Sequence, residues 1–404
     1  VGEGFGGSAA ARRRTLVRVG ALSVTAGLVA TLALLTPEPS PPEAPVVAAP
    51  AFAAEPAVRV RIRTVEPGAR IVVRDARLVD GPGPADATPR DFAVKNEAGR
   101  AVVDGRALEG PAVFVAAEGR ACGLDDLRYR GELRVFKDPA SNVLFVVNRL
   151  PLELYLEGVV LSEMSAKFPE QALLAQTVAS RSYAAHKVLT MRSRPFDVTD
   201  TQQSQVYRGA LDRGRALAAR LVGATRGLAL VYEGRVLEAV FSSTCGGATR
   251  SAAEAFGDAA PAPLGGVPCG RCDGTEFHVW RHQVRRAALG KSLGLGGPLA
   301  ALEDARTLPS LRLASVALRG PKATKRLSGS ELRAALGEKA LSTWFTKLAL
   351  EGDWLVVEGR GYGHGAGLCQ VGARTLANAG DDWRAILAYY YPGAAVGRLY
   401  PPAD

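Results

Sequence analysis

Several familiar catalytic signatures are missing from this 404-residue chain. It has no G-x-x-x-x-G-K-[ST] phosphate loop, no H-E-x-x-H helix, no D-x-D cluster and no Ser–His–Asp order. Each of those patterns places a particular chemistry on a particular turn or helix face, so their absence removes support for a P-loop nucleotide site, a zincin-type protease and a serine hydrolase. No internal repeat marks a solenoid. Past residue 14 there is no dense basic run, so the net charge of +10 is spread over scattered arginines rather than gathered into a nucleic-acid footprint. That charge fits an acidic polymer as a partner, and it also serves plain solubility. Cysteine is scarce, at five, and the odd number leaves at least one thiol outside any set of pairs.

What is present describes an exported, globular α+β chain. Hydrophobic residues make up 47% of it, too many for a disordered polymer. Arg12, Arg13 and Arg14 precede an apolar run over residues 19–35, the layout of an export signal or a membrane anchor. Either reading puts residues 1–35 at a membrane and the rest of the chain outside the cytoplasm, in the cell envelope or secreted. Residues 36–56 hold seven prolines and read as an extended spacer. From Val58 the pattern becomes period-two alternation (VRVRIRT, RIVVRDARLV, GELRVF, SNVLFVVN), which predicts a β-rich part over residues 57–129. A mixed α+β core with one long helix is expected over residues 130–402, with a small sub-domain at about 285–350. The length exceeds the roughly 250–300 residues at which single cores stop growing.

The stretch at residues 158–185 is the expected centre. Pro169 and Glu170 suit the first turn of a helix, the proline because it lacks an N–H and the acid because it complements the dipole. Leu174, Val178, Arg181, Ala185 and Val188 then fall on one helical face, apolar except for the arginine. A guanidinium on a buried face needs a partner, so Arg181 is expected to meet an acid or a ligand. Cys245, Cys269 and Cys272 form a C-x23-C-x2-C set, most of a zinc site, with His278 as the expected fourth ligand and His364 and Asp273 as the other options. A disulfide between Cys245 and one of the pair is the rival in an exported chain. A thioredoxin-like redox pair is disfavoured because no βαβ pattern surrounds CGRC. Cys122 and Cys369 stand alone. Glycines at 359, 361, 363, 365 and 367 alternate with other residues. Such alternation lets backbones approach closely, and an extended conformation would place Tyr362 and His364 on one face.

These blocks together resemble the stage II sporulation protein D family, also called the amidase-enhancer family. The resemblance rests on GVVLSEMSAKFPEQALLAQTVASRSYAAHK, TDTQQSQVYRG, VFSSTCGGATRSAAEAFG, LSGSELRAALG and GRGYGHGAGLCQVGARTLANAG with YYPGA, which occur in the family's order across about residues 130–402. It implies a protein that acts on peptidoglycan: a lytic transglycosylase that cuts peptide-stripped glycan strands and leaves 1,6-anhydro-muramic ends, or alternatively a non-catalytic enhancer of a cell-wall amidase. The family's essential acid falls on Glu163, with Ser165 and Phe168 where the family has proline and tryptophan. Arg181 and Tyr183 match its R-T-Y, and Ser242 stands where many members have histidine. Arg181, Tyr183, Gln205, Tyr207, Tyr362, His364 and Gln370 are then expected to hold the sugar. Cys245, Cys269, Cys272 and His278 are expected to hold a structural zinc. The implied partners are glycan strands and an amidase, not nucleic acid.

Overall fold

The computed structural model describes residues 47–48, 52–80, 88–257 and 259–402. The expected export segment and most of the proline-rich spacer lie outside the described residues. Inside that spacer, Val47–Ala48 already pairs in parallel with Ala395–Arg398, and the Phe52 N–H donates to the Leu399 carbonyl at 2.9 Å. The ordered fold therefore begins upstream of Val58. No helix among the described residues is long and apolar enough to cross a membrane.

The N-terminal half is built on one large sheet. Its principal strands are β1 (Ala57–Val65), β2 (Arg70–Asp80), β3 (Arg90–Glu97), β4 (Ala112–Val115), β5 (Glu132–Lys137) and β6 (Leu144–Pro151). They run in the spatial order β1, β6, β5, β4, β2, β3, with the two-residue strand Val198–Thr199 added in parallel to the outer edge of β1. The alternation in β1 works as the sequence implies: Val58, Val60 and Ile62 point into the core. Arg59 and Arg63 pair with Asp197 and Asp125, and Arg61 lies over the Phe145 and Phe196 rings. The boundary expected near residue 130 is no break, because β5 and β6 hydrogen-bond into the same sheet as β1 and β4.

Strand β6 runs directly into α1 (Leu152–Glu163), and a short turn leads on to α2 (Glu170–Thr190). Pro169 caps α2 rather than occupying its first turn, with an extended ψ of 145°. Fourteen consecutive residues of α2, Ala172–Ala185, are buried. A helix buried on nearly every side, its polar residues included, is a central one. Helix α2 packs against α1, α3 (Arg215–Ala224), strand β7 (Leu228–Tyr232) and two C-terminal helices. Helix α1 sits so close to the loop at residues 207–209 that a Cβ on Gly158 would lie 2.4 Å from the Gly209 carbonyl and 2.5 Å from the Tyr207 ring. Gly158→Ala is therefore expected to cost about 1–3 kcal/mol, as overpacking does, and urea unfolding would show it as a lower midpoint at constant slope.

Strand β7 turns back at Glu233 and Gly234, whose φ values of 48° and 74° are those of a tight hairpin. The chain then forms β8 (Phe241–Ser242), and after a long excursion β9 (Val279–Arg285), β10 (Phe345–Glu351), β11 (Trp354–Arg360), β12 (Leu368–Cys369), α4 (Gln370–Asn378) and α5 (Trp383–Tyr390). The segment from β9 through β11 has its own apolar core, which includes Leu289, Leu299, Leu313, Val316, Leu332 and Leu355. It holds two three-stranded antiparallel sheets and two short helices, more strand than the sequence pattern implied. The glycines after β11 do not continue as a strand. Gly361, Gly363, Gly365 and Gly367 all have positive φ, and a Cβ at Gly367 would lie 1.8 Å from the Val240 carbonyl. The chain here winds closely along the backbone of β8, and Tyr362 and His364 leave it in different directions.

Candidate active site

Glu163 is the last residue of α1. A carboxylate at the negative end of a helix dipole is poorly placed for stability. No basic residue sits in that last turn to offset it. Burial pushes the carboxyl's pKa up to about 7, against opposing hydrogen bonds from the Val206 backbone N–H and the Gln370 side chain. No second carboxylate appears among the groups that act on it. The turn beyond Glu163 is closed by Ser165, whose Oγ accepts from the Lys167 N–H at 3.3 Å and whose carbonyl accepts from the Phe168 N–H at 2.9 Å. Met164 is buried, and Phe168 is partly buried with the Arg374 guanidinium over its ring.

Gln370 begins α4 and links the acid inward. Its amide also reaches Gln176 on α2 at 3.4 Å, and Gln176 in turn donates to Ser180 Oγ at 2.9 Å. Tyr183, one helical turn beyond Ser180, is close enough for the Glu163 charge to act on it and is hydrogen-bonded by Ser204. Burial raises the Tyr183 hydroxyl to about 12, so it stays protonated. Tyr183, Ser204 and His364 line a cavity of about 790 Å³ whose other walls include His186, Glu238 and Phe256. That volume lies in the range of ligand sites. Glu163 does not line the cavity itself; its charge acts on Tyr183, which does, and its carboxylate accepts from the Val206 N–H two residues past Ser204.

Three of the expected sugar-binding residues are committed elsewhere. Arg181 is fully buried and donates from Nε and Nη2 to the two oxygens of Glu153 at 2.9 and 2.7 Å, and to Thr225 Oγ1 and the Val222 and Leu228 carbonyls. Burial alone would raise Glu153, but the guanidinium, the Tyr400 hydroxyl and the Gly227 N–H together hold it below its usual value. The partner of Arg181 is therefore Glu153, not Glu163 and not a ligand. Gln205 is buried between the Tyr155 hydroxyl and the Ser180 carbonyl, and the Tyr207 hydroxyl donates to Asn148 at 2.7 Å. Both support the wall behind the acid rather than facing a substrate.

Tyr362 packs its ring against Phe277. His364 presents ring carbons to the cavity, while its nitrogens are taken by backbone: Nε2 donates to the Phe241 carbonyl at 2.8 Å and Nδ1 accepts from the Ala366 N–H at 3.1 Å. Burial lowers its pKa to about 4, which favours the neutral imidazole.

The fold gathers the expected metal ligands into two adjoining groups, one of four cysteines and one of Cys272, Asp273 and His278. The fourth residue that meets Cys245, Cys269 and Cys272 is Cys369, not His278. Parallel pairing of β8 with β12 aligns Ser242 with Cys369 and brings Cys245 beside it. His278 instead lies 3.3 Å from Asp273 and 3.8 Å from the Cys272 sulfur, at the outside of the cluster. Ser242 has a buried hydroxyl without a hydrogen-bond partner. Sequence reasoning missed Gln176, Ser204, the Val206 N–H and Cys369. Only the last had a signal, its place in the same block as Gln370.

Comparison with known proteins places this geometry in context. The family described as Stage II sporulation protein matches residues 140–232, which span α1, α2 and the loop that meets Glu163. An uncharacterized protein of Brachyspira hyodysenteriae is 31% identical over 274 residues, 68% of this chain and 73% of that protein. Stage II sporulation protein D of Bacillus subtilis is 30% identical over 266 residues, 62% of this chain and 75% of that protein. The amidase enhancer of Bacillus subtilis is 27% identical over 294 residues, 60% of this chain and 40% of its own length.

Proposed function

The chain belongs to the stage II sporulation protein D family, and from that premise we propose that it acts on the cell wall as a lytic transglycosylase of peptide-stripped glycan strands, with Glu163 as its acid and base. The observation that carries the reading is one partly buried carboxyl, raised by that burial to about 7, at the end of a helix and near Tyr183, which lines a cavity of ligand size.

The chemistry needs one such group. Protonated Glu163 donates to the glycosidic oxygen as the bond to the muramic C1 breaks. The muramic 6-hydroxyl then closes onto C1, and the Glu163 carboxylate takes the proton that this oxygen gives up. The 1,6-anhydro ring forms without an added water, so the paired carboxylates of ordinary glycosidases are not required. The Val206 N–H and the Gln370 amide hold the carboxylate between those two steps, and burial restores the acid form near neutral pH. The spread positive charge suits a strand that is a polyanion once its peptides are gone. The same reading places the protein outside the cytoplasm, where that polymer lies.

A second reading is favoured by the likeness to a protein named amidase enhancer: a non-catalytic activator of a cell-wall amidase. One experiment separates the two. The protein is incubated with peptide-free glycan strands and with intact peptidoglycan, and the products are examined by mass spectrometry. Anhydro-muramic ends from the peptide-free strands with wild type, and none with Glu163→Gln, are expected. No such ends from either protein, alongside faster hydrolysis by an added wall amidase, would transfer the assignment to the activator.

A further inference from the structure

The proposed cleavage leaves a cluster of nucleophilic side chains unused. Cys245, Cys269, Cys272 and Cys369 are all buried and unbonded to one another, and their sulfurs lie within 4.8 Å of each other. The Cys245 and Cys272 sulfurs are 3.6 Å apart. Four thiolates arranged tetrahedrally at about 2.3 Å around zinc stand about 3.8 Å from one another, so the set has the size of a closed structural site.

Two further observations bear on what fills it. The backbone N–H groups of Cys245 and Gly372 both point at the Cys369 sulfur at 3.3 Å, and the Tyr390 hydroxyl lies 3.3 Å from the Cys269 sulfur. A neutral thiol is a weak acceptor, whereas metal-bound thiolates are oriented by such donors. Arg312 supplies the second. It is fully buried, its Nη2 donates to the Cys245 and Ala248 carbonyls at 2.9 and 3.1 Å, and it lies over the Trp344 ring. Among the described residues no carboxylate forms an ion pair with it, and Glu254 acts on it only at longer range. A buried guanidinium without a counter-charge is costly. One dication held by four thiolates carries two net negative charges, and Arg312 lies directly beside it.

The geometry points to a tetrahedral tetrathiolate site for one zinc ion, held by Cys245, Cys269, Cys272 and Cys369. Four sulfur donors leave no open position, which makes the ion structural and selects zinc over the harder divalent cations. Binding forms four metal–sulfur bonds and releases the thiol protons to solvent. The ion fastens the CGRC loop and the end of β8 to the start of α4. Gln370, the residue after Cys369, is the one that reaches Glu163, so the site also sets the approach of that amide to the acid.

The full chain, loaded with zinc and desalted, is expected to retain one zinc per chain by elemental mass spectrometry. Cobalt(II) in its place is expected to give the intense thiolate-to-metal charge-transfer band and visible d–d bands of tetrahedral sulfur coordination. Cys369→Ser should weaken metal retention by more than about tenfold, since even changes to groups that merely orient ligands cost that much. His278→Ala and Cys122→Ser should keep the full equivalent. If Cys369→Ser fails to fold, the wild-type cobalt spectrum still decides, because its charge-transfer intensity distinguishes four thiolates from three. A protein isolated without stoichiometric metal, a disulfide joining any two of the four cysteines, or a three-thiolate spectrum with metal lost in His278→Ala would each overturn the site. Iron in place of zinc would overturn the choice of ion.

Discussion

Arg181→Ala is expected to destabilise the protein by about 3–5 kcal/mol, because it leaves Glu153 buried without its counter-charge. Arg181 and Glu153 share two hydrogen bonds in the centre of the helical layer, and the arginine's other donors close the carbonyls at the end of α3 and the start of β7. A domain of ordinary stability has only about 5–15 kcal/mol in total, so the variant stands near the threshold of folding. Urea unfolding at pH 7 measures the loss. Removing both charges together, as Arg181→Met with Glu153→Gln, should recover part of it, because an apolar side chain beside a neutral amide leaves no unpaired ion. The pH dependence has a definite sign. The folded pKa of Glu153 lies below its ordinary value of 4.5, so its contribution is present above that value and is lost as pH falls through the folded pKa. Wild type should therefore lose stability more steeply than the double variant below about pH 4. Equal midpoints for wild type and Arg181→Ala across that range would show that the pair contributes nothing.

The same residue shows where sequence reasoning stops. The helical stripe through Leu174, Val178 and Arg181 correctly required a partner for the guanidinium, because burial of an unpaired charge is costly in any fold. Choosing the partner required the phase of a second helix. Glu153 and Glu163 both lie on α1, ten residues apart, which at about 100° per residue turns them roughly 80° away from each other. One faces α2 and the other faces the loop after Thr199, and nothing local distinguishes them. The alternation in β1, the hairpin turn at Glu233 and Gly234 and the position of α2 were legible because each is written in nearest-neighbour chemistry. The cysteine cluster was only three-quarters legible. His278 sits six residues past Cys272 and fits a ligand spacing, but β9 starts at the next residue and carries the chain away. Cys369 enters through a parallel strand pairing that no spacing rule encodes. The alternating glycines misled in the other direction. Period two suggests an extended strand, yet glycine adopts at no steric cost the positive φ found at four of those positions, and the chain uses that freedom to lie against β8.

Glu163→Gln is expected to make the protein a worse enzyme and a more stable one. Loss of a positioned general acid lowers rates by about 10²–10⁴-fold, and the amide keeps the shape and the Val206 contact, so strand binding should survive. The stability change follows from the raised pKa. In the unfolded chain this carboxyl ionises near 4.5 and in the folded protein near 7, so folding is unpenalised below the lower value and loses stability as pH rises through the higher one. Glutamine carries no charge at any pH. The variant should therefore match wild type near pH 4 and exceed it by up to about 3 kcal/mol at pH 8, the shift multiplied by 1.36 kcal/mol per unit and reduced for the partial access of solvent to the carboxyl. Chemical unfolding at the two pH values reads that difference directly. The rate of glycan cleavage by wild type should fall as pH rises above about 7, where the acid form is depleted, and that alkaline limb should coincide with the pH above which the gap between the two stability curves stops widening. A single titration would then account for both. If the variant gained no stability at pH 8, Glu163 would be an ordinary solvated carboxylate, and the acid of any cleavage would have to be sought on the cavity wall instead.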